Sequence, residues 1–128
     1  MKYYIEKITN YSFDDAVAKA TEELQKEGFG VLSEINIDEK LKAKLGVDFN
    51  RYRILGACNP PNAYKALQSE IHIGVMLPCN VIVRELDDKK VEVAAVDPVA
   101  SMMAIQNEEL APIAGEIKAR LERVIQAL

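Results

Sequence analysis

Two β-prone runs, Cys79 to Leu86 and Val91 to Val96, are separated by only four polar residues, Asp87-Asp88-Lys89-Lys90. A link that short closes a hairpin, whereas a parallel crossover needs a dozen residues or more. The chain is thereby committed to antiparallel pairing, and an antiparallel sheet needs one face covered by something apolar. Two amphipathic segments qualify. Phe13, Ala16, Val17, Ala20 and Leu24 recur at steps of three and four, as do Leu110, Ile113, Ala114, Ile117, Leu121, Val124 and Leu128, with Glu116 and Arg120 paired on the other side of the second stripe. The expected fold is α+β: a mixed or antiparallel sheet with two long helices packed on one face, in strand-helix-strands-helix order.

The remaining elements follow from their punctuation. Residues 2 to 8 form a first strand. Ser12 with Asp15 three positions on starts the first helix, and Gly28 ends it, with Phe29 placed to touch Leu24 in a Schellman closure. Phe29, Val31, Ile35 and Ile37 alternate through a second strand. Asp38 is expected to cap a short helix through Leu41 and Leu45, closed by Gly46. Tyr52 to Cys58 is a third strand running into Asn59-Pro60, an N-cap followed by a first-turn proline, and Asp97-Pro98 repeats that signature ahead of Met102, Met103 and Ile105. Residues 71 to 77 are β-prone but interrupted by Gly74 and followed by Pro78, and are expected to be an edge strand or extended loop.

With 128 residues the chain can bury a core without staples, and residues 1 to 128 are expected to form one domain. No apolar run approaches the roughly 20 residues of a bilayer span, and the N-terminal stretch lacks the pattern of a secretory signal. A soluble protein of the reducing cytoplasm with free thiols is the expectation. The formal net charge of −4, with mixed signs, no Trp and few aromatics, supplies neither a basic stripe nor stacking platforms and argues against nucleic acid as a partner.

The residues that could carry chemistry are two corners, Cys58-Asn59-Pro60 and Pro78-Cys79-Asn80. In each, Cys precedes Asn where a strand meets a turn or helix. Cys58 lies just before a helix N-terminus, where unpaired amides favour thiolate over thiol. If the corners meet, Cys58, Asn59, Pro60, Pro78, Cys79 and Asn80 would wall a pocket. Lys44 and Arg53 would then complete an anion-binding edge, and the ligand would be a small anionic or thiol-reactive molecule. Alternatives stay open. Cys58 could attack and Cys79 resolve in thiol redox or sulfur-transfer chemistry; the thiols could simply fill tight corners; or the chain could be a structural module that dimerises through the second sheet face, since Val31 with Leu32, Ile54 with Leu55 and Val93 with Ala94 put apolar residues on both sides of their strands. A metal site would need Cys58 and Cys79, 21 positions apart, to be completed by His72 and Asp97, and lacks close Cys-x-x-Cys spacing. No cofactor motif is recognisable, and the residues alone leave open whether any reaction is catalysed.

The stretch from Leu45-Gly46 through Tyr52-Arg53-Ile54-Leu55-Gly56-Ala57-Cys58-Asn59-Pro60, with Ala63, Ala66-Leu67, Ile73-Gly74 and Leu77-Pro78-Cys79-Asn80-Val81, resembles the domain of unknown function 302 family. Gly28-Phe29-Gly30-Val31 and Asp97-Pro98 extend the likeness over nearly the whole chain. The resemblance implies a small, dimeric α+β domain widespread in prokaryotes, with no established activity. His72 is not part of that pattern.

Overall fold

A computed structural model describes residues 2–128. Five strands, β1 (Tyr4–Thr9), β2 (Gly30–Asn36), β3 (Tyr52–Cys58), β4 (Cys79–Glu85) and β5 (Val91–Val96), form one antiparallel sheet in the order β1-β5-β4-β3-β2. The hairpin β4-β5 lies at its centre, as its short link requires. Helices α1 (Phe13–Lys26) and α5 (Leu110–Gln126) pack on one face. Val81, Val83, Val91, Val93, Ala95, Leu55 and Ala57 point into that layer with Phe13, Leu24, Leu121 and Val124, and all are buried. Strand alternation sends Tyr4, Ile8, Ile54, Ile82 and Ala94 to the other face, which no helix covers.

The helix ends follow the sequence closely. Ser12 Oγ accepts from the Asp15 amide. At the other end of α1, the amides of Gly28 and Phe29 donate to the carbonyls of Gln25 and Leu24, with Gly28 at φ +85°, the paired closure of a Schellman ending.

Two expectations are corrected. Helix α2 (Ile37–Leu45) starts two residues earlier than predicted, with Asn36 and not Asp38 at its N-cap; Asp38 Oδ1 instead accepts from the Tyr52 amide at 3.1 Å and ties α2 to β3. Residues 71–76 are a 3₁₀ segment, not an edge strand. The sheet already ends at β1 and β2, so no free edge adjoins them. They wind between α3 (Pro60–Ser69) and β4, and bury Ile73 beside Ala66 and Leu110 in a small second core.

That second core roofs one end of the sheet. Its members come from α3, the 3₁₀ segment with Leu77 after it, the turn that follows the short α4 (Pro98–Ser101), and the start of α5. Asn107 clamps the arrangement: its Nδ2 donates to the Ser69 carbonyl at 2.8 Å and its Oδ1 accepts from the Glu109 amide. Among the described residues no helix is long and apolar enough to cross a membrane.

Candidate functional site

Between this roof and the end of the sheet lies a cavity of about 300 Å³. Cys58 and Asn59 line it from the β3-α3 corner, and Pro78 and Cys79 from the start of β4; Asn62, Ala63, Ala66 and Leu67 of α3 form one wall. Leu77, Met102, Ile113 and Ile117 close much of the rest. The two corners meet because β3 and β4 are neighbours: Ala57 lies opposite Cys79, so the end of one strand abuts the beginning of the next.

The thiols do not form an opposed pair. Cys79 shares the helix-packed face with Ala57, while alternation along β3 turns Cys58 the other way, opposite Gly30. Both are free thiols. Burial pushes the Cys79 thiol up from 9.0 to about 11, with a smaller contribution from neighbouring Cys58, so at neutral pH Cys79 is a protonated, poorly nucleophilic group.

Asn59 is buried and fully engaged. Its Oδ1 accepts from the backbone amide and the side-chain Nδ2 of Asn62, at 3.3 and 2.9 Å; its own Nδ2 donates to the carbonyls of Glu27 and Gly28, at 3.4 and 3.3 Å. It is thus the N-cap of α3 and at the same time a clamp on the C-terminal turn of α1. Arg120 Nη1 reinforces the clamp by donating to the Glu27 carbonyl at 2.9 Å, while Arg123 holds the Glu27 carboxylate. That guanidinium, through its hydrogen bonds, keeps the Glu27 carboxyl below the usual carboxylate range.

Gly56, two residues before Cys58, is a spacing device. A Cβ there would strike Ser33 Oγ and lie 2.9 Å from Pro78 Cγ, so the side chain must be absent for the Pro78 corner to seat against β3.

Four of the residues expected at the pocket lie elsewhere. Pro60 is exposed at the first turn of α3, off the cavity. Asn80 is within β4 and faces the uncovered side of the sheet beside Tyr4, Tyr52 and Arg84. Lys44 is exposed on α2. Arg53 lies five residues from Cys58, roughly 17 Å along an extended strand; there it donates to Asn36 Oδ1 and stacks over Phe13. The cavity has no cationic edge. The metal set is not assembled either. His72 is exposed 3.8 Å from Glu70, Asp97 caps α4 and pairs with Lys118 at 3.0 Å, and among the described residues no three His, Cys, Asp or Glu side chains converge.

Sequence reading missed Asn62, which is 5 % exposed and lines the cavity. Its position three residues after an Asn N-cap was the available signal, since N3 is where a side chain reaches back to the cap. The apolar wall from Leu77, Met102, Ile113 and Ile117 had no local signal at all, because its residues come from segments far apart in the chain.

Among curated proteins none matches the chain. The crystal structure of an uncharacterized conserved protein DUF302 from Bacillus stearothermophilus is similar over 99% of this chain and 98% of that one, with 26% sequence identity and a TM-score of 0.92. The family described as "Domain of unknown function DUF302" matches residues 5–128, a span that includes both cysteine corners, the α1-α3 clamp and the whole cavity lining, and the chain therefore belongs to the DUF302 family.

Proposed function

We propose that this domain binds a small molecule in the cavity walled by Cys58, Asn59, Pro78 and Cys79. The observation that carries the reading is the cavity itself. Both corners, 21 positions apart in the chain, line one space of about 300 Å³, at the lower end of the roughly 300–1,000 Å³ of small-molecule sites. The main core beneath the sheet is close-packed by Leu24, Leu55, Val83, Val93 and Leu121 and needs no such opening. Binding is favoured over two-cysteine exchange, because a resolving Cys79 would have to act from a half-buried, protonated state and across a register that does not oppose it to Cys58.

Toluene is a suitable probe, since an apolar cavity of about 150 Å³ is already enough for benzene. Added toluene is expected to raise the unfolding temperature and to shift amide resonances of Cys58, Ala63 and Cys79. Ala63→Trp, which plugs the space, is expected to abolish both effects while leaving the fold intact. An unresponsive wild-type chain overturns the reading.

A second reading is favoured by the uncovered sheet face, where Tyr4, Ile8 and Ile35 are 39, 55 and 41 % exposed. We infer that a second copy of this chain covers it, which is compatible with ligand binding at the sheet's end.

A further inference from the structure

We propose that the ligand of this cavity is an uncharged molecule, apolar apart from one group that both donates and accepts a hydrogen bond, and that Asn62 is the residue that reads that group. This rests on the cavity being a binding site, as proposed above. The orientation of the Asn62 amide is fixed by a chain of partners. Two backbone carbonyls, Glu27 and Gly28, face one end of the Asn59 amide, and carbonyls accept, so that end is the NH₂. The other end of Asn59 is then its oxygen, and the atom of Asn62 that lies 2.9 Å from it must in turn be Nδ2. What remains of Asn62 is its carbonyl oxygen and one N–H.

Neither remaining group has a hydrogen-bond partner among the described residues, although Asn62 is 95 % buried and lines the cavity. The oxygen is not sealed by protein atoms either, and the cavity is the opening that Asn62 lines. A buried amide with an unused acceptor and an unused donor is complemented by a hydroxyl or an amide, which offers both. Asn59 cannot play this part, because all of its polar positions are already bound.

The charge of the ligand follows from the rest of the lining. Phe29, Leu67, Leu77, Met102, Ile113 and Ile117 dominate it, and no Lys, Arg, His, Asp or Glu is present. A charge placed there would lose its hydration and gain no counter-ion. Cys79, protonated at neutral pH, adds no charge of its own.

Three probes built on one benzene ring separate the alternatives: toluene, benzyl alcohol and benzoate, titrated by NMR at neutral pH. Benzyl alcohol is expected to bind about fivefold more tightly than toluene, the scale of one added hydrogen bond, and to shift the Asn62 side-chain amide resonances. Benzoate is expected to leave the cavity resonances unmoved. Asn62→Ala should erase the preference for the alcohol while toluene still binds. Equal binding of alcohol and toluene to the wild-type chain, which needs no variant, overturns this inference and leaves the binding reading standing; so does binding of benzoate as tight as that of the alcohol. If no probe moves a cavity resonance, the binding reading falls, and this inference with it.

Discussion

Cys79 shows how one residue's surroundings decide between chemistries that its type leaves open. A cysteine at a strand-turn corner is compatible with a reactive thiolate or with a packed thiol, and only burial separates them. Burial holds this thiol to about 11 against an ordinary 9.0. The raised value favours the protonated folded state, so the stability it confers is complete below pH 9, and it is lost as pH rises from 9 through 11, where the unfolded chain releases the proton first. A rise of that size corresponds to about 2–3 kcal/mol at most. Urea unfolding of the wild-type chain should therefore weaken between pH 8.5 and 11 more steeply than that of Cys79→Ala, and iodoacetamide should modify Cys79 in the folded chain with a midpoint near 11. Equal slopes for the two chains, or rapid alkylation at pH 8, would place Cys79 among reactive thiols. Cys58-Asn59-Pro60 and Pro78-Cys79-Asn80 look alike in sequence, yet Asn59 is a buried clamp and Asn80 an exposed strand residue. The sequence shows the type and the neighbour, not the face of the sheet.

At the scale of elements, the junction of α1 with α3 binds the site to the scaffold. Gly28 turns the chain, Phe29 enters β2, and the freed carbonyls of Glu27 and Gly28 are taken up by Asn59 and Arg120. Asp is ordinarily as good an N-cap as Asn. Here Asn59→Asp keeps the acceptor for the Asn62 amide but turns an oxygen toward two carbonyls, so it is expected to cost about 1–3 kcal/mol, the scale of unsatisfied buried groups. Chemical denaturation at pH 7 measures this. A loss under a few tenths would mean that the residue acts only as a cap. The cap itself was legible from Asn59-Pro60, as were the starts of α1 and α4 and the Schellman ending, because each is a contest among neighbouring backbone groups and a single side chain. Asp38 and residues 71–76 were not, since distant partners decide them. A β3 amide draws Asp38 away from its helix, and because β4, into which residues 71–76 lead, is already paired on both sides by β3 and β5, the β-prone Ile71, Ile73 and Val75 have no strand beside them to pair with.

For the whole molecule, the covered face of the sheet was readable from two helical stripes and from alternation in β4 and β5. The cavity was not, because its walls come from α3, α4, α5 and two strand ends, and no local pattern records that they converge. The uncovered face carries the remaining consequence. Tyr4 and Ile8 of β1, Ala94 of β5, Ile82 of β4, and Ile54 and Ile35 of β3 and β2 place apolar side chains on this face from all five strands. Arg84 and Glu92, paired at 2.8 Å within the same face, neutralise each other, as do Glu6 of β1 and Lys2 at 2.7 Å, so a second copy laid on it meets no net charge from these groups. A contiguous apolar surface of this kind is what soluble monomers avoid exposing. Light scattering at micromolar concentration is expected to give twice the chain mass of 14.3 kDa. Ile8→Lys together with Ile82→Lys should return it to a single chain mass without loss of secondary structure, because both side chains point away from the core. A wild-type mass of 14.3 kDa would leave the face bare. A dimer that survives the double substitution would move the interface elsewhere, toward the exposed Ile71 and Val75 of the 3₁₀ segment, and would bring the partner against the roof of the cavity.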